Sequence, residues 1–254
     1  TIYILIPFLI VPHILFSGLL VKYHQLHPII GSDKNVPTVG QAMPSRGAME
    51  GLMTYQFTSN EYESALFGVH QALYESAFKK NYWIPYLEGK VNTLLQGDSS
   101  SENLALVVQE LNKEFFKPEE SDSLTHRFVK GEILGMSQLQ SVRSYLGDLD
   151  KKYKGIHKKK LYERDEKLLE LSKAHGGMKG LVEWRNTMVN KELEDLVTNR
   201  NEIKRLVEVD GELVRRDKVV YIIGEGLSSP FLVAYKKAFG KVVPTYWYNV
   251  AVLW

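Results

Sequence analysis

TIYILIPFLIVPHILFSGLLVK, residues 1–22, carries no Asp, Glu, Lys or Arg until it stops at Lys22. A helix rising about 1.5 Å per residue spans about 30 Å over such a run, the thickness of a bilayer's hydrocarbon core. Pro7 and Pro12 each remove a backbone donor. Membrane helices tolerate this because neighbouring helices re-satisfy the freed carbonyls. His13 is expected to face protein rather than lipid. Ser17-Gly18 offers a small surface for close helix contact. A secretory leader fits poorly, since no basic segment precedes the run and no Ala-x-Ala-like site follows it. A buried helix of a soluble core is the other reading.

The far end has the same character. PTYWYNVAVLW, residues 244–254, is uncharged. Pro244 suits the first turn of a helix, and Tyr246, Trp247 and Tyr248 read as an interfacial aromatic belt. The expectation is one membrane helix over 1–22 and the start of a second over 244–254, both cut from a longer protein. A buried terminal helix is the alternative for the second.

Between these ends the chain is a different material. The whole has 254 residues, with 32 basic against 30 acidic and a net charge of +2, and nearly all of that charge lies between Lys22 and Lys241. The balance gives no case for a nucleic-acid partner. There is no cysteine, which excludes disulfides and thiolate metal sites. Loop lengths this great leave orientation unreadable from Lys and Arg counts.

Residues 23–57 read as an interfacial connector, irregular to about 37. An amphipathic helix then runs over 38–57, with Met49, Leu52, Met53 and Phe57 on one side. Residues 58–243 read as a mainly helical domain outside the membrane. Ser59 caps a helix bearing Tyr62, Ala65, Leu66, Val69 and Leu73. NYWIP (81–85) breaks it, and further helices are expected over 84–96, 102–116, 136–175 and 181–200. FKPEESDS (115–123) and GEGLSSP (224–230) read as loops. Asp210-Gly211 within 203–216 is a hairpin signal. Residues 231–243 lead back to the membrane. The fold class is therefore mainly α, membrane-helix ends flanking a helical domain with one small β-hairpin.

Chemical motifs are scarce. The sequence has no phosphate loop, no H-E-x-x-H and no G-x-S-x-G, so no catalytic or cofactor-binding residue is assigned. His24 and His27 stand three apart but lack an obvious third ligand, which leaves no metal site. Lys158–Lys160 reads as a solvated surface or a lipid-phosphate contact. Arg46 and Glu50, four apart, can pair along a helix; Arg46 alternatively meets lipid headgroups.

The run IxFSGLLV at 14–21 and MPSRGAMEGLMTYQF at 43–57 together resemble the G-subfamily of ABC transporters and related bacterial ABC-2 permeases. In that family the fifth membrane helix ends in a similar F-S-G run, and an extracellular element follows that Pro44, Arg46, Ala48, Glu50, Leu52, Gln56 and Phe57 match. Gly47 departs from it, since an aromatic is usual there. The EVDGEL hairpin and the YWYN run at 246–249 are similar to the return into the last membrane helix.

The resemblance implies the permease part of an ATP-driven transporter, an exporter in the cell membrane with a large extracytoplasmic loop. It implies a second half-transporter, membrane lipid, and a separate ATP-binding cassette using ATP and Mg, so that no activity is expected of this segment alone. It also places a substrate-path plug at Leu19 and Leu20, with Arg46 and Glu50 as structural residues at the interface. A membrane-anchored helical interaction protein with no transport role is the alternative.

Overall fold

The computed structural model describes residues 2–19, 21–27, 31–32, 34–98, 100–115 and 135–253. The chain is mainly helical. Helix α1 (Ile2–Leu15) is followed by α2 (Thr38–Gln41), α3 (Pro44–Ser59), α4 (Glu61–Phe78), α5 (Ile84–Leu95) and α6 (Ser101–Phe115). Then come α7 (Met136–Ala174), α8 (Met178–Met188) and α9 (Lys191–Val197). Strands β1 (Leu206–Val209) and β2 (Glu212–Arg215) form an antiparallel pair. Strands β3 (Ile223–Glu225), β4 (Tyr235–Ala238) and β5 (Lys241–Pro244) form a mixed sheet, and α10 (Thr245–Leu253) closes the described chain.

The helical middle is organised by its apolar periodicity. Along α7, Leu139, Val142, Leu146, Leu149 and Tyr153 are buried at three- and four-residue spacing, one stripe of a helix about 58 Å long. This stripe meets Ile84, Leu87 and Val91 of α5 and Val107 and Leu111 of α6 in one core. A second core joins Phe57, Phe67 and Val197 to Val220, Tyr221, Leu232 and Ala234, so the C-terminal strands are anchored on α3, α4 and α9.

Several expectations are met closely. Helices α5, α6 and α7 lie where the periodicity places them. Asp210 and Gly211 both adopt positive φ, 48° and 70°, the two-residue turn that matches strand twist. The 115–123 loop lies largely outside the described residues.

Other expectations are corrected. The 38–57 helix is two helices, because Pro44 starts a new one and holds Met43 extended (φ −90°, ψ 110°). Asn60, not Ser59, caps α4, its side chain accepting from the Glu63 N–H at 2.8 Å. The break at 81–85 is a π-helical turn, Lys79–Trp83, with helix on both sides. Pro85, the second residue of α5, follows that turn directly. Residues 178–188 and 191–197, not one run of 181–200, are helical, separated at Val189-Asn190. Residues 231–243, expected simply to lead onward, contain a second hairpin turning at Phe239 (φ 51°) and Gly240 (φ 74°).

Helix α1 is also shorter than expected. It ends at Leu15 rather than reaching 22. Ser17 Oγ donates to the Ile14 carbonyl at 2.7 Å, and Gly18 turns to φ +79° against the Tyr23 ring. Only glycine takes that conformation without strain. At 14 residues α1 is about 21 Å long. Among the described residues no helix is long and apolar enough to cross a membrane.

Candidate functional site

The site worth building is the base of the molecule, where α1, α3 and α10 meet. Helix α1 is apolar on every side, yet Tyr3 is 89% and Phe8 78% exposed, with Leu5, Ile6, Val11 and Ile14 exposed around the helix. Ordinary amphipathic helices bury one stripe; a helix apolar all round belongs in apolar surroundings. Leu52 and Tyr55 of α3, and Trp247 and Val252 of α10, extend the exposed apolar surface. Tyr55 packs on Tyr246 at 5.0 Å between ring centroids, and Tyr246 on Trp247 at 4.9 Å. Ser45 Oγ donates to the His13 carbonyl at 3.3 Å, joining α3 to α1.

What α3 buries is unusual. Its inward residues are Arg46, Gly47, Glu50, Gly51, Thr54 and Phe57, so the Met49, Leu52, Met53 and Phe57 side expected from apolar spacing is only part of the packed face, with Met53 beside Phe57 against the second core. Of those four, Phe57 is buried and Leu52 is exposed. Gly47 and Gly51 let α10 come close: a Cβ at Gly51 would stand 3.3 Å from the Tyr246 Cα. This is the small-x-x-x-small spacing that permits close helix contact.

Into that contact the chain places a charged hub. Glu50 is fully buried and Arg46 is 6% exposed. The Arg46 Nη1 donates to Glu50 Oε2 at 2.7 Å, the Lys236 Nζ donates to the same oxygen at 2.8 Å, and the Asn249 Nδ2 at 2.9 Å. The Leu232 N–H donates to Oε1 at 3.1 Å. Asn249 Nδ2 also reaches the Gly47 carbonyl at 2.9 Å. One carboxylate thus ties α3, β4, the chain entering β4, and α10.

The electrostatics are demanding. Two cations share one anion away from water, and desolvating them is repaid only by dense hydrogen bonding. Burial pushes the Lys236 ammonium below the usual lysine range, and Glu50 pulls it partly back. The Arg46 Nε makes no hydrogen bond among the described residues. Burial raises the nearby Tyr23 phenol well above the ordinary tyrosine range; its hydroxyl donates to the Phe16 carbonyl at 2.9 Å. Glu50 accepts four bonds, so one buried carboxylate holds α3, β4 and α10 together.

The two halves of the sequence-derived site are treated differently by the fold. Arg46 and Glu50 are brought together, with two further partners that local spacing could not supply. Leu19 sits half-buried in the turn beyond α1, not on a helix, because Ser17-Gly18 has already ended it. Its N–H donates to Ser17 Oγ at 3.3 Å. Leu20 lies outside the described residues. His24 comes within 3.9 Å of Glu202 while His27 is exposed; among the described residues no group of three His, Asp or Glu could hold a metal.

Lys236 and Asn249 are the residues that sequence reasoning missed. Lys236 sits in a Lys-Lys pair that reads as solvated, and nothing local marks which of the two turns inward. No family model, no curated protein and no solved structure matches this chain.

Proposed function

We propose that the chain is the permease part of an ATP-driven ABC transporter of the G-subfamily type, working as an exporter in the cell membrane. Residues 58–243 would form its extracytoplasmic domain. A second half-transporter would complete the path, and a cassette using ATP and Mg would drive it; no residue of this chain is assigned to ATP. The observation that carries the reading is the apolar exterior of α1 standing beside the exposed apolar residues of α3 and α10. Lipid satisfies such a surface and water does not. The buried Arg46–Glu50 pair on the element that resembles the family's extracellular motif supports it further.

These 254 residues contain no cysteine, so single cysteines introduced into them report on this segment once any elsewhere in the full-length protein are replaced. In spheroplasts carrying the full-length protein, Lys158→Cys is expected to react with a membrane-impermeant maleimide, and Phe8→Cys only after detergent is added. Equal reactivity of both in intact membranes ends the reading. For transport itself, Leu19→Ala with Leu20→Ala is expected to alter export or ATP hydrolysis. If both rates stay unchanged while Phe8→Cys remains protected, a membrane-anchored interaction protein is the better description.

A further inference from the structure

A second feature lies apart from the hub. Just beyond the end of α1, a cleft of about 120 Å³ opens between the segment after that helix, the end of α9, strand β2 and the chain leading into β4. Its inner wall is apolar, made by Tyr23, Val197, Phe231 and Leu232 among others. Tyr23 and Phe231 meet edge to face at 5.7 Å, which fixes that wall.

The polar lining has one sign. Lys22, Lys34, Arg215 and Arg216 all line the cleft with His24, and no Asp or Glu is among the described residues that do. Three of these cations are already paired with carboxylates. Lys22 Nζ is held by Asn199 Oδ1 at 2.8 Å and Glu202 at 3.1 Å, and Lys34 Nζ by Glu212 at 3.0 Å. Arg215 is tied by Glu75 at 2.8 Å and by the Asp217 carbonyl at 2.8 Å. Its side chain is only 8% exposed, and its Nη2 makes no hydrogen bond among the described residues. These anchors fix Lys22, Lys34 and Arg215 at the cleft, each beside a carboxylate.

We propose that this cleft binds a small organic anion: a carboxylate or phosphate monoester carried on a compact apolar body of about five or six carbon atoms. The size follows from the volume, since a 150 Å³ apolar cavity holds benzene. The chemistry follows from an apolar wall beneath a cationic rim: the wall takes the hydrocarbon, and Lys22 and Lys34 take the charge. An entering anion exchanges places with Glu202 or Glu212 rather than meeting a bare cation, so binding is moderate and salt-sensitive. The assignment stands whether or not the chain transports anything.

The test is calorimetric titration of the full chain in nanodiscs with hexyl phosphate. Submillimolar binding is expected, weakened about tenfold by Lys22→Gln and by Lys34→Gln, and largely kept by Lys22→Arg. Should Lys22→Gln fail to fold, Lys34→Gln, also lining the cleft, carries the same test. Inorganic phosphate binding as tightly as hexyl phosphate would remove the apolar half of the proposal, and hexanol binding as tightly would remove the ionic half; either result overturns it. So does the absence of heat from hexyl phosphate at 10 mM, taken as roughly ten times the expected constant. Competition by dihexanoyl phosphatidic acid at a lower concentration than hexyl phosphate identifies a lipid headgroup as the source of the anion; weaker competition identifies a free organic acid. Both results keep the site.

Discussion

The helical middle and the base of this molecule differ most in what they expose. Around α5, α6 and α7 the chain buries Leu87, Val107, Val142 and Leu146, with Glu110 and the Lys79–Glu114 pair as the buried charges beside them. At the base it buries Arg46, Glu50, Lys236 and Asn249 and turns Tyr3, Phe8 and Trp247 outward. The first arrangement is what water selects, through the apolar area it removes from solvent. The second makes sense when the surroundings are themselves apolar, so that polar groups seek one another. The difference teaches that burial alone does not define a core, since a buried residue here is a hydrogen-bonded charge as well as a hydrocarbon side chain.

The largest effect that could break this contrast comes from the hub. Glu50→Ala leaves two cations buried without their anion and is expected to cost about 3–5 kcal/mol. The loss should appear as a lowered unfolding midpoint and as separation of α10 from α3 in a cysteine cross-link between positions 47 and 253. An unchanged midpoint means the hub is wetter than its geometry implies. Next comes a truncation in the middle. Leu146→Ala, at a fully buried site, is expected to cost about 2–5 kcal/mol by lost transfer energy plus the cavity. It should leave the 47–253 cross-link intact. If each variant weakens both regions equally, the two are one cooperative unit and the contrast is only chemical.

The smallest effect sharpens the contrast through pH. Burial, reinforced by Lys80, lowers the His157 imidazole on α7. Between its folded value and the ordinary 6.5 the unfolded chain binds the extra proton, so stability contributed by the neutral ring is lost as pH falls through that window. A shallow decline in the stability of the middle below pH 6.5 is expected, flattened by His157→Gln. A slope that survives the substitution assigns the proton to another group.

Much of the middle is legible in the sequence because its signals are local. The stripe from Leu139 to Tyr153 repeats at helical spacing, and Asp210-Gly211 carries its own backbone preference. The base is harder for a physical reason. Apolar periodicity searches for greasy faces, and α3 buries its polar one. The clue on offer was the Gly47 and Gly51 spacing, which marks a close contact without naming the partner. Lys236 and Asn249 reach Glu50 across 186 and 199 positions of chain, a distance over which no window of residues carries information. Ser17-Gly18, expected as a packing surface, instead lies just beyond the end of α1, with positive φ at Gly18. The Phe239-Gly240 turn escaped because a bulky residue at positive φ is the wrong residue for that position.

The π-helical turn at Lys79–Trp83 has a geometric effect on everything downstream. One residue added to a helical turn advances every later side chain by about 100° around the axis. Phe67, ahead of it, points into the aromatic layer with Tyr221 and Tyr235, whereas Leu87 and Val91, behind it, point toward α7. A single unbroken rod from Glu61 to Leu95 therefore borders two interiors, with Phe78 at the end of α4 already in the second, and the five-residue π-helical turn resets the register of the side chains that follow it.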